Sequence, residues 1–280
     1  RGDEVIVESG AHIYRTEQGG MAALAGTPYR VLPGTGGMIP IGELRAALAG
    51  SGYGARLRPA LLCVETTHNA AGGTVPPLAY LAEAREAATR QDTAIHMDGA
   101  RLFNAAVALG VDAAEVARAA DTVTFCLSKG LGAPVGSVLC GPQVVIERAR
   151  RTRRMLGGTM RQAGVLAAAG LVALDTMVAR LADDHRRART LAEGLHALHP
   201  ALCDPGVVAT NIVFVDLAAS GHSPAEWSRL LAARGIACRP YDATRMRLLT
   251  HADVSDADIA ATLAAFRAEW PAAAGPTPPR

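Results

Sequence analysis

The sequence predicts an α/β fold, a mostly parallel sheet flanked by helices and followed by a smaller C-terminal α+β domain. Three observations predict it. Short β-rich runs alternate with helical stretches from the start of the chain, which is the rhythm of parallel strands joined by covering helices. Half of the 280 residues are hydrophobic, enough for a sizeable core and too many for a disordered chain. Polar, chemistry-bearing residues gather just beyond the strand-like runs, where open α/β sheets collect their ligands.

In order, residues 4–8 (EVIVE), 29–32 (YRVL), 60–65 (ALLCVE), 93–97 (TAIHM) and 122–127 (TVTFCL) read as strands, and residues 42–48, 77–90 and 101–109 as helices between them. Residues 136–140 (GSVLC) follow a glycine-rich loop and read as a further, antiparallel strand. From 142 to 199 the pattern turns helical. Arg148, Arg150, Arg151, Arg153 and Arg154 crowd its start, the mark of a solvated helix face more than of a nucleic-acid surface. Residues 160–175 are so apolar that a buried helix is expected, and with 177–198 they bridge two domains. Beyond Pro205 come a strand (211–217), a helix (224–234), two strands (237–241 and 247–251) and a helix (256–270). Residues 271–280 (PAAAGPTPPR) read as a disordered tail. The expected division is therefore a large domain over 1–175, a small α+β domain with its linking helix over 176–270, and the tail.

Charge and cysteine usage exclude several functions. A net charge of +2 is close to balance, so neither a polyanion nor a membrane surface is an obvious partner. Cys63, Cys126, Cys140, Cys203 and Cys238 are scattered, with no C-x-x-C and no histidine at metal-ligand spacing, which argues against a disulfide framework or a metal site. Cys63, Cys126 and Cys140 sit in apolar runs as small core residues. No signal peptide opens the chain and no apolar run reaches the roughly 18 residues of a membrane span, so a cytoplasmic location is expected. Strand-like sequence directly after Arg1 reads as a chain that begins within a fold.

The informative asymmetry is that Lys129 is the only lysine among 28 Lys and Arg residues. At a solvated position arginine keeps the charge. It cannot replace lysine where a neutral amine must attack a carbonyl, because a guanidinium does not deprotonate in a protein. Lys129 is thus either a surviving surface lysine or a nucleophile for carbonyl chemistry. Its surroundings favour the second reading. Four strand ends are polar: Glu8-Ser-Gly-Ala-His12, Glu65-Thr-Thr-His68-Asn69, Asp98-Gly-Ala-Arg101 and Ser128-Lys129-Gly130. Asp98 and Lys129 end consecutive strands about one αβ unit apart, so carboxylate and amine share a rim. In a pyridoxal phosphate (PLP) site the lysine binds the cofactor aldehyde and an aspartate keeps the ring nitrogen protonated; a buried ion pair is the alternative. Gly130, Gly132 and Gly136 leave room for a flat ligand. His12 and His68 can each stack on a ring, take a proton from a substrate hydroxyl, or be ordinary loop residues. His96 shares a strand face with Asp98 and suits a supporting role. Arg101, Arg161 and Arg247 are candidates for a substrate carboxylate or a phosphate.

The motifs EQGG (17–20), ETTHNAAGG (65–73), HMDGARLFNAA (96–106), CLSKGLGAPVGSVL (126–139), MLGGTMRQAG (155–164) and TNIVFVDL (210–217) carry a resemblance over nearly the whole chain. The chain resembles the low-specificity L-threonine aldolases of the β-eliminating lyase family, within the fold type I, aspartate-aminotransferase-like PLP enzymes. The resemblance implies a PLP-binding large domain and PLP as cofactor, with Lys129 bearing it, Asp98 on the pyridine nitrogen, His12 stacked on the ring, and Ser128 and Arg101 beside it. It places His68 near the substrate side chain, Arg101 and Arg247 near its carboxylate, and Arg161 near the active site at a subunit boundary. The implied reaction is retro-aldol Cα–Cβ cleavage of L-threonine, L-allo-threonine and related β-hydroxy-α-amino acids to glycine and an aldehyde, in a homodimer or homotetramer, with His68, His12 or a water as base. One departure stands out. The family's N-terminal segment, with the serine/glycine/threonine turn that cradles the cofactor phosphate, has no counterpart before Arg1, and GTGGM (34–38) falls in the wrong place to replace it. The alternatives are another fold type I lyase or aminotransferase, or an impaired fragment with an incomplete phosphate site.

Overall fold

The computed structural model describes residues 2–49 and 57–270. The expected tail over 271–280 lies outside the described residues. The chain divides into two compact units, Arg1–Ala182 and Asp183–Arg280.

The first unit is built on a six-stranded sheet of β1 (Asp3–Glu8), β2 (Tyr29–Leu32), β3 (Arg58–Glu65), β4 (Ala94–Asp98), β5 (Thr122–Cys126) and β6 (Ser137–Cys140), in the order β2-β1-β3-β4-β5-β6. The first five run parallel and β6 pairs antiparallel with β5. Alternation along the strands sends side chains to two faces. Ile6, Leu62 and Ile95 meet Leu44 and Leu48 of α2 (Ile41–Ala49) and Ala84 and Ala88 of α3 (Leu78–Thr89). Val5, Val7 and Cys63 instead cluster with Ile13 of a short helix, α1 (His12–Arg15), and with Met21 of a π turn, Met21–Ala25. Met97 and Val123 are covered by Leu102, Ala105 and Ala106 of α4 (Leu102–Leu109) and Val116 of α5 (Ala113–Ala117). Because β2 and β3 lie on opposite sides of β1, the winding reverses between β1 and β3. In open α/β sheets the carboxyl ends of the strands at such a reversal are where ligands collect.

Three further helices are α6 (Gln143–Met155), α7 (Gly164–Thr176) and α8 (Leu181–Leu198). The arginine-rich α6 has no buried residue, as a solvated helix does. The expectation of a buried helix over 160–175 is corrected: α7 buries only Gly170 and Ala173, while Val165, Leu171 and Val172 are 61–71% exposed. A helix apolar on all sides needs neighbours on all sides, and within one chain α7 has them on one side only.

The second unit carries an antiparallel sheet, β7 (Ile212–Asp216), β8 (Arg239–Pro240) and β9 (Arg245–Leu249), ordered β7-β9-β8, with α9 (Pro224–Ala232) and α10 (Asp256–Glu269). Both of these helices start with reciprocal capping boxes, Ser223 with Glu226 and Ser255 with Asp258. Trp227 stacks on Phe266 at 5.0 Å between ring centroids and donates its indole N–H to Ser220 Oγ at 2.8 Å.

Candidate active site

Parallel strands end at the same edge of a sheet, so the residues after β1, β3, β4 and β5 form one rim. His12, His68, Asp98, Arg101, Ser128 and Lys129 all lie along it. Arg161 is instead on the exposed segment between α6 and α7, and Arg247 is on β9 of the second unit, its guanidinium 5.8 Å from the Tyr241 ring centroid.

Pairing aligns Glu65 with Asp98 and Asp98 with Thr124, so three neighbouring strands end in step. Asp98 Oδ1 accepts the Ala100 N–H at 3.1 Å. A Cβ on Gly99 would stand 2.8 Å from the Thr124 carbonyl oxygen, so only glycine lets β4 turn this close to β5. The Asp98 charge acts on two neighbours. Burial, and then this carboxylate, push the Cys63 thiol up to about 12. Burial holds the His96 imidazole below its ordinary 6.5, with Asp98 pulling the other way. His96 Nδ1 lies 2.8 Å from Thr122 Oγ1. Lys129 is exposed, in a loop closed by Leu127 N–H to Gly136 O at 2.9 Å and Ala133 N–H to Leu127 O at 3.0 Å. Among the described residues Lys129 forms no ion pair.

The depressed His96 value has a consequence for stability. Folded His96 binds its proton less readily than in the unfolded chain, so its contribution is present above about pH 6.5 and lost as pH falls through the lower folded value. Between about pH 7.5 and about pH 5, urea midpoints of the wild type are expected to drop further than those of His96→Gln. Equal drops would overturn this.

Sequence reasoning placed Glu8 and Glu65 at strand ends but gave them no role; the structure makes them organisers of the rim. Glu65 is buried and accepts two backbone N–H groups, from His12 at 2.6 Å and Asn69 at 2.7 Å, tying the loop after β1 to the loop after β3. His12 leaves its ring half-exposed, with Nε2 3.0 Å from Glu17 Oε1. His68 is 2% exposed, its Nε2 3.0 Å from Glu8 Oε2 and 4.0 Å from Glu65 Oε2. GTGGM also finds a place. Thr35 and Met38 pair across a two-residue turn, Gly36–Gly37, with both φ positive, and Gly37 lies so close that a Cβ would stand 2.3 Å from His68 Cγ. The signal available in the sequence was a glutamate ending each of two apolar strands, a position where a carboxylate is buried and must find donors.

Comparison with known proteins sets this geometry in a class. The fold is that of the aspartate aminotransferase-like enzymes: a Leishmania major threonine aldolase structure superposes with a TM-score of 0.75 at 19% identity, covering 95% of this chain and 78% of that one. Thermus thermophilus aspartate aminotransferase gives 0.68 at 20% identity, over 96% of this chain and 70% of that one. Residues 1–220 match the beta-eliminating lyase family, and the chain belongs to that family. It is 40% identical over 272 residues to low-specificity L-threonine aldolase 1 of Arabidopsis thaliana, covering 95% of this chain and 75% of that protein. It is also 40% identical over 270 residues to the low specificity L-threonine aldolase of Escherichia coli K12, covering 96% and 78%.

Proposed function

We propose that the chain is a PLP-dependent carbon–carbon lyase that cleaves L-threonine, L-allo-threonine and related β-hydroxy-α-amino acids to glycine and an aldehyde. The observation that carries this is the chain's single lysine, exposed and without an ion-pair partner among the described residues, one strand along from Asp98. The donor set fits the cofactor. Its aldehyde requires an unpaired primary amine and its ring nitrogen a carboxylate, and Lys129 and Asp98 offer both at neighbouring strand ends.

When bound, the cofactor supplies an electron sink for the pair released as Cα–Cβ breaks. Lys129 would hold the cofactor's aldehyde group and Asp98 its ring nitrogen. His12 would stack on the ring, and Ser128 and Arg101 would complete the cofactor's binding residues. Arg101 is a candidate to hold the substrate carboxylate by paired hydrogen bonds, and Arg247 and Arg161 are further candidates for substrate binding. The β-hydroxyl proton would pass to His68, His12 or a bound water as the substrate is cleaved to an aldehyde and glycine. The test is incubation of the PLP-loaded chain with L-allo-threonine and L-threonine. Glycine and aldehyde in equal amounts support the reading; a keto acid product, or no glycine from any β-hydroxy amino acid, sinks it.

The proposed working form is a homodimer or homotetramer in the cytoplasm, with neither nucleic acid nor membrane as partner. Exposed Val165, Leu171 and Val172 on α7, with Met155, Leu156 and Met160 before it, supply an apolar surface of the kind that a second copy covers. All five cysteines are free thiols, consistent with a reducing compartment. No single described helix is long and apolar enough to cross a membrane. Light scattering is expected to give a multiple of the 28.9 kDa chain mass, and the double variant Leu171→Asp, Val172→Asp a shift toward monomer. A wild-type monomer at micromolar concentration would contradict this.

A further inference from the structure

We propose that Glu8 is a positioning residue that pins the ring proton of His68 on Nε2, so that Nδ1 is the basic atom of this imidazole; as a statement about the reaction it rests on the lyase reading above.

The protonation pattern follows from two hydrogen bonds. The backbone N–H of Ala71 points at His68 Nδ1 at 3.3 Å. An N–H donor approaches a lone pair, so Nδ1 carries no proton and the ring proton of the neutral imidazole sits on Nε2. Nε2–H then donates to Glu8 Oε2 at 3.0 Å, between side chains only 3% and 9% exposed. Glu8 is itself held, its Oε2 accepting the Gly10 N–H at 2.6 Å and its Oε1 the Ser9 hydroxyl at 2.9 Å. The space around the pair suits it alone. A Cβ on Gly34 would stand 2.5 Å from Glu8 Cγ, and one on Gly37 2.3 Å from His68 Cγ. Only glycine at positions 34 and 37 leaves room for this carboxylate and this imidazole where they stand.

Position and charge give the pair a use. It spans the carboxyl ends of β1 and β3, where the winding of the sheet reverses and ligands collect. Nε2 of the ring faces Glu8 Oε2 at 3.0 Å and Glu65 Oε2 at 4.0 Å, which leaves Nδ1 as the acceptor atom of the ring. A carboxylate on the far nitrogen of a histidine fixes the tautomer and orients the ring, as it does for histidines that act as bases or bind metals. A substrate hydroxyl that passes its proton to His68 displaces the long Ala71 N–H contact and leaves the Glu8 bond in place.

The experiment uses the full chain, loaded with PLP and labelled with 15N-histidine. Long-range proton–nitrogen correlation reads each ring, and comparison with His68→Gln assigns the signal. The wild type is expected to show His68 protonated at Nε2 and bare at Nδ1. Glu8→Gln keeps an acceptor and is expected to keep this tautomer, whereas Glu8→Ala is expected to give mixed tautomers. Glycine formation should fall about 10- to 100-fold in kcat for Glu8→Ala with little change in KM, and by less for Glu8→Gln. A wild-type His68 protonated at Nδ1, or a Glu8→Ala spectrum identical to wild type, overturns the proposal. If Glu8→Ala does not fold, the wild-type and Glu8→Gln spectra still decide. The expected tautomer in a chain that makes no glycine leaves the pair standing and removes the lyase reading; glycine formation with the wrong tautomer does the reverse.

Discussion

Replacing Lys129 by alanine is expected to abolish covalent cofactor retention and to lower glycine formation by more than about 10³-fold, with the fold unaltered. Lys129 is exposed and its loop is closed by backbone hydrogen bonds from Leu127, Gly132 and Ala133, so the side chain contributes little to stability. Unfolding free energies of variant and wild type should agree to within the roughly 0.5 kcal/mol usual for surface substitutions. Lys129→Arg is the sharper variant. It keeps the positive charge at the strand end next to that of Asp98, so a purely electrostatic role would survive it, but a guanidinium offers no neutral nitrogen to an aldehyde. Both variants should therefore lack the protein-bound cofactor absorbance and the activity. An arginine variant that retains either would show that the charge, not the nucleophile, is what the position supplies.

The lysine was legible because compositional drift had removed the others: among 28 Lys and Arg residues a single survivor points to chemistry that arginine cannot perform. Asp98 was legible for a different reason, since a carboxylate closing an apolar strand shows its location through the period-two pattern alone. The mostly parallel sheet and the antiparallel β6 were legible in the same alternation, whereas the order of the strands, with β2 and β3 on opposite sides of β1, came only from the structure. The partners of the histidines were not legible. Glu65 holds His12 through its backbone N–H, a bond that any residue at position 12 would offer, so no side-chain pattern announces it. Glu8 meets His68 across 60 residues of chain, and the Gly36–Gly37 turn that closes over them is a local signal with no hint of what it covers. The exposure of α7 was hidden in the opposite sense. Apolarity reports that a surface is to be covered, and the same letters serve whether the cover comes from this chain or from another.

Asp98→Asn is expected to lower kcat by about 10²–10³-fold while leaving the cofactor bound, which separates it from Lys129→Ala. Asparagine has the shape of aspartate, and its carbonyl oxygen can still accept the Ala100 N–H that Oδ1 accepts at 3.1 Å, so the end of β4 keeps its turn and its register with Glu65 and Thr124. What disappears is the negative charge. A ring nitrogen facing a neutral amide no longer holds its proton, and the ring takes up the electron pair from Cα less readily. Two neighbours report the same loss without any turnover. His96 is held below 6.5 by burial and lifted against it by the Asp98 charge, so in the variant its imidazole should titrate lower still, readable in the histidine spectra. Cys63, pushed up to about 12 by burial and then by the same carboxylate, should come down. If both groups shift as expected and kcat does not fall, the charge sits where the structure puts it but does not serve the ring nitrogen; if kcat falls and neither group shifts, the loss comes from a change in shape and not from the field of Asp98.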